Sequence, residues 1–138
     1  MTDTPSETRL VGRAQAKLAS ARYRVDIRSG HHELIGDESV SEGGGDAGPT
    51  PFGLVLAGLG ACTAITLRMY AERKNWTLGG LEVALEYYRD GKAFRIERTL
   101  HISGDLDDEQ RARLADIAER TPVTLALKAG TTINTKLQ

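Results

Sequence analysis

The chemistry this sequence offers starts with its only thiol, Cys62. A thiolate is a strong nucleophile and an oxidisable one, and both properties depend on something nearby that stabilises negative charge on sulfur. Thr50-Pro51 reads as a helix start, with Thr50 as N-cap and Pro51 at the first helical position, so Cys62 falls about three turns into that helix. The dipole of its own helix does not reach it there, and activation calls for a cation from elsewhere in the fold. Arg9, Arg13, Arg22, Arg24 and Arg28 all lie in or beside the first strands, where such residues ordinarily face water. Without a partner, a cysteine in an apolar helix is simply a small core residue. One cysteine also excludes an intrachain disulfide and a CxxC pair.

The other candidate groups are sparse. His31-His32 and His101 are the only imidazoles. On a strand, adjacent histidines point to opposite faces, and with a single thiol in the chain no metal site and no cofactor is expected. No local signature marks a Cys-His hydrolytic pair. Tyr70 and Trp76, near the end of the Cys62 helix, read as core or interface.

Positioning these groups falls to alternating strands and three helices. Apolar residues alternate at Ala14, Ala16 and Leu18, then Tyr23, Val25 and Ile27, then Leu34 and Ile35, which predicts three short antiparallel strands with a turn at Ser29-Gly30. The run from Ser41 to Pro51 is rich in glycine. It lacks the GxGxxG spacing and the Lys-Ser/Thr of a phosphate cradle and reads as a flexible connection. The helix from Pro51 to about Asn75 is apolar on every side in its first half, a pattern suited to the centre of a core or to a subunit interface. Leu81–Tyr88 and Phe94–Ser103 form a hairpin about Asp90-Gly91. Asp107 and Gln110 open a helix as a capping box, with Leu114, Ile117 and Ala118 on its inner face. Thr121-Pro122 opens another, through about Lys128, and Thr131–Leu137 is expected as a last strand. The order is β(3)-α-β(2)-α(2)-β, an α+β fold, with residues 1–8 as a loose tail and 9–138 as one domain.

Composition narrows the function classes. Eighteen basic against nineteen acidic residues leave a net charge of −1, so no positive field draws the protein to nucleic acid or anionic lipid. The uncharged stretch from Ala47 to Leu67 is interrupted by glycines and Pro51 and is short for a membrane span. The polar first residues lack the pattern of a secretory signal. Cytoplasmic residence is expected.

Gly43-Gly44-Gly45-Asp46-Ala47-Gly48-Pro49-Thr50-Pro51, followed by Leu54 to Thr63 and Thr66 to Lys74, resembles the central-helix motif of the OsmC/Ohr family. Gly104-Asp105-Leu106 and the later Ala118-Glu119-Arg120-Thr121-Pro122-Val123 extend the likeness, which covers about residues 11–137. It implies an intertwined homodimer with buried central helices. It also implies a thiol peroxidase that reduces organic hydroperoxides, in which Cys62 matches the peroxidatic position and becomes a sulfenic acid. The family's resolving cysteine, in a Cys-Pro-Val-type motif, is Thr121 here, and the position of its glutamate holds Phe52. Arg22 is the best match to the family's N-terminal arginine, with Arg24 as a rival. Three readings follow: a one-cysteine peroxidase regenerated by an external thiol, a non-catalytic scaffold binding a small apolar ligand, and a thiol-based redox sensor.

Overall fold

A computed structural model describes residues 8–138, so most of the expected tail at residues 1–8 lies outside the described residues. The chain divides into two compact units, one reaching to Leu54 and the other running from Val55 to Gln138. In the first, β1 (Gln15–Leu18), β2 (Val25–Ser29) and β3 (His32–Gly36) form an antiparallel sheet in the order β1-β2-β3. Ala16 pairs with Ile27 and Ile27 with Leu34, matching the alternation in the sequence. Gly30 takes the left-handed conformation (φ 62°) that the β2–β3 turn requires.

α1 (Pro51–Arg73) begins as its first residues dictate, with the Thr50 hydroxyl accepting from the Gly53 N–H at 3.1 Å. It is long and apolar enough to cross a membrane by length and composition alone. Within the chain it buries one stripe at four-residue spacing, Leu59, Thr63, Leu67 and Ala71, and leaves Val55, Ile65 and Met69 exposed. A single chain therefore covers one face of a helix whose sequence is apolar on all of them.

The second unit packs α1 with a hairpin and two further helices. β4 (Leu81–Asp90) and β5 (Ala93–Ile102) pair antiparallel from Leu81↔Ile102 to Asp90↔Ala93, and Gly91 (φ 65°) makes the turn. α2 (Asp108–Ala118) carries the complete capping box, with the Gln110 N–H donating to Asp107 at 2.7 Å. Leu67 of α1 meets Leu114 and Ala118 of α2 in a core bordered by Tyr70, Trp76, Leu100 and Ile117. Burying each leucine there is worth about 1.5–3 kcal/mol. Tyr70 and Trp76 meet edge to face at 5.6 Å and pack, partly buried, against that core. Gly60 admits Leu85, whose terminal carbon would lie 2.9 Å from an added Cβ.

α3 (Pro122–Ala129) ends the regular structure. The expected last strand at Thr131–Leu137 is absent: those residues are irregular, with Ile133 84% and Leu137 99% exposed. Alternation alone does not make a strand, which needs a neighbouring ladder to take its backbone N–H and C=O groups, and none pairs with this segment among the described residues.

The glycine-rich run is not the flexible connection its composition suggests. It folds over the buried carboxylate of Asp37, which accepts from the N–H groups of Glu38 (2.7 Å), Ala47 (3.1 Å) and Gly45 (3.3 Å). Added Cβ atoms at Gly44 and Gly48 would collide with the backbone of Glu38 and Ile35, so close approach requires both glycines. The Ala47 N–H, opposed by burial and helped by the Glu38 and Gly45 N–H groups and by Arg24, holds the Asp37 carboxyl below its ordinary pKa. Its contribution to stability is therefore complete above the ordinary value of about 3.9 and is lost as pH falls below it through the lower folded value. Asp37→Asn is expected to lower Tm by several degrees at neutral pH, and thermal melts should show that gap closing below about pH 4. A gap that persists unchanged into acid would contradict this role.

Candidate active site

Cys62 is half-buried on α1, in the second unit. The Val123 N–H donates to Cys62 Sγ at 3.5 Å, and Thr66 Oγ1 lies 4.0 Å from the same sulfur. Val123 is the second residue of α3, so its N–H is one of the donors that a helix start cannot satisfy internally. The sulfur is out of reach of its own helix dipole but sits at the positive end of another. Such an N–H stabilises negative charge on its acceptor. The expectation from sequence looked only to a cation, and this N–H is a second kind of donor at the sulfur.

Beside the sulfur runs a buried polar network centred on Arg98, whose side chain is only 13% exposed. Its Nη1 donates to Thr63 Oγ1 at 3.1 Å and to Thr124 Oγ1 at 2.9 Å, and its Nη2 donates to the Ala118 carbonyl at 2.8 Å. Thr63 in turn donates to the Leu59 carbonyl at 2.7 Å. Glu119 lies 3.5 Å from Nη2 and 2.8 Å from Lys128 Nζ. The Lys128 hydrogen bond, opposed by partial burial and aided by the charges of Lys128 and Arg98, holds the Glu119 carboxyl below its ordinary range. Arg98 also borders an open cleft of about 430 Å³, shared with Leu59, Phe94, Leu127 and Lys128.

Sequence reasoning missed Arg98, although a signal was present. Ile96, Arg98, Leu100 and Ile102 share the half-buried face of β5, and an arginine in register with core positions needs buried partners.

Thr121 occupies the N-cap position of α3, as expected. Its side chain makes no capping bond. The hydroxyl instead lies 2.6 Å from Thr124 Oγ1, fully buried, because Thr124 is anchored to Arg98 and draws Thr121 into the network.

Arg22 belongs to the first unit, in the β1–β2 connection, with its guanidinium 4.9 Å from the Tyr23 ring centre. Its rival Arg24 is paired with Asp26 at 3.2 Å, and Arg28 with Glu33 at 3.4 Å. The histidines correct a second expectation. His31 is in the β2–β3 turn and not on a strand, so its ring lies against that of His32, 4.0 Å between centres. Among the described residues no group of three or more His, Cys, Asp or Glu side chains is placed to hold a metal ion.

A family model for the OsmC-like proteins matches residues 43–136, from the glycine-rich loop to the C-terminal segment. The chain belongs to the OsmC-like family. No curated protein sequence matches this OsmC-like chain. Solved structures share its fold. The OsmC-like protein of Mycoplasma pneumoniae superposes with a TM-score of 0.77 at 19% identity, covering 88% of this chain and 89% of that one. The organic hydroperoxide resistance protein OsmC of Legionella pneumophila gives 0.67 at 21%, covering 88% and 92%. The organic hydroperoxide resistance protein OhrB of Bacillus subtilis gives 0.61 at 24%, covering 86% and 91%.

The Cys62–Val123 contact leads us to expect the N-cap of α3, two residues before Val123, near the sulfur. Introducing Thr121→Cys is expected to give an intrachain disulfide with Cys62 under mild peroxide, seen as the loss of two free thiols without a gain in mass on gels. A variant that keeps both thiols reduced would mean that these two positions cannot close to bonding distance.

Proposed function

We propose that this OsmC-like protein is a one-cysteine thiol peroxidase that reduces organic hydroperoxides in oxidative stress defence. The observation that carries the reading is the Val123 N–H at the head of α3 donating to Cys62 Sγ, which supplies positive potential where a thiolate nucleophile needs it. The names of its structural relatives in Legionella pneumophila and Bacillus subtilis support the substrate class.

In the proposed reaction, the Cys62 thiolate attacks one oxygen of the O–O bond. That bond breaks, a sulfenic acid forms on sulfur, and the other oxygen takes up a proton and leaves as an alcohol. The chain has no second cysteine, so an external thiol attacks the sulfenic sulfur, releasing water and forming a mixed disulfide. A second external thiol then frees Cys62 as the pair leaves oxidised. Arg22 is the proposed cation that orients the peroxide, a role its match to the family's arginine suggests.

The protein is proposed to act in the cytoplasm as a homodimer. Exposed Val55, Ile65 and Met69 on α1 favour a second copy of the chain. Light scattering should give about twice the chain mass of 15.0 kDa, and a monomer at micromolar concentration would remove the dimer from this reading.

For the activity itself, tert-butyl hydroperoxide should be consumed at the expense of a dithiol, and Cys62→Ser should bring the rate down to that of buffer. If wild type and Cys62→Ser turn over alike, Cys62 is not the reacting group. Retention of a copurifying apolar molecule by both proteins, without turnover, would favour the binding scaffold. Stable capping of Cys62 by one small thiol would favour the sensor.

A further inference from the structure

The N–H that meets Cys62 does so only while the first turn of α3 is held at one place on α1. α3 has eight residues, follows α2 after residues 119–121, and leads into an irregular segment, so its own connections fix it weakly. Arg98 spans the two helices. A single nitrogen, Nη1, donates to Thr63 Oγ1, on the residue after Cys62, and to Thr124 Oγ1, on the residue after Val123. The same guanidinium reaches the Ala118 carbonyl through Nη2 and so fixes the end of α2 from which α3 departs. The cysteine and its N–H donor are thus each followed in sequence by a hydroxyl bound to the same atom.

We infer that Arg98 is a positioning residue for Cys62: by tying Thr63 to Thr124 it keeps the Val123 N–H on the sulfur. The inference rests on the reading of Cys62 as the reacting atom, and adds the group that sets its surroundings. Lysine is a poor substitute, because one ammonium cannot reproduce a planar fork whose two nitrogens serve three acceptors. In strong base every accessible thiol is ionised, whatever its neighbours.

Full-length protein is alkylated with iodoacetamide at about pH 7 and about pH 10, on either side of an ordinary thiol's titration, and the rate at Cys62 is followed by mass. Arg98→Gln is expected to slow the reaction about tenfold at the lower pH, the loss of roughly one charge-strengthened hydrogen bond, and to leave the rate at the higher pH unchanged. Arg98→Lys should recover little of it. Thr124→Val, which keeps the guanidinium but removes its hold on α3, should act in the same direction and decides the matter if Arg98→Gln does not fold. Arg111→Gln is the control for stability alone: Arg111 donates to the carbonyls of Ile102, Leu106 and Gly104 in the same unit, and its loss should lower Tm without changing the ratio of the two rates.

A wild-type ratio in Arg98→Gln, or in Thr124→Val if the former does not fold, overturns the inference and leaves the peroxidase reading standing. An Arg98-dependent ratio in a protein that consumes no hydroperoxide supports the inference and overturns the peroxidase reading alone.

Discussion

A guanidinium drawn largely out of water must find acceptors for its N–H groups, and the second unit is organised around meeting that demand for Arg98. A buried charge left unpaired is far more costly than a buried methyl group, so the residues that answer it are as constrained as the charge itself. Three of the four buried polar residues among the described ones, Thr63, Thr121 and Thr124, belong to this one network. The Ala118 carbonyl, which the end of α2 leaves without a helical partner, is satisfied by the same group. One side chain of β5 therefore ties together α1, α2 and α3, while the apolar contact of Leu67 with Leu114 and Ala118 supplies the burial beside it. Among the described residues no buried side-chain nitrogen or oxygen lacks a partner.

The proposed chemistry depends on this arrangement. A sulfur midway along an apolar helix gains nothing from the ends of that helix. Setting the start of α3 against it places an unsatisfied N–H at the one atom that can use it. The exchange helps both partners, since the N–H acquires an acceptor and the sulfur a donor. Thr121, at the head of α3, joins the polar network through Thr124.

The first unit follows a parallel logic with the opposite sign. There the buried charge is the Asp37 carboxylate, and backbone N–H groups of the glycine-rich loop neutralise it. Each unit thus gathers partners around one ionised side chain, a carboxylate collecting loop N–H donors in one and a guanidinium collecting oxygen acceptors from three helices in the other.

Local rules made much of this legible. The Thr50 cap, the Asp107–Gln110 capping box, the Gly91 turn and the period-two strands each depend on a few neighbouring residues, so the sequence determined them, together with the lone thiol and its place on α1. The residues from Thr131 to Leu137 alternate as a strand would, yet strand formation requires a ladder that no local pattern supplies. The glycine run read as slack because composition does not reveal a carboxylate several residues upstream. Arg98 went unread for the same reason: its partners lie between 20 and 35 residues away. Which N–H meets Cys62, and which arginine holds it there, was decided only in the tertiary structure, because a helix start and a guanidinium act on whatever packing brings within hydrogen-bonding distance.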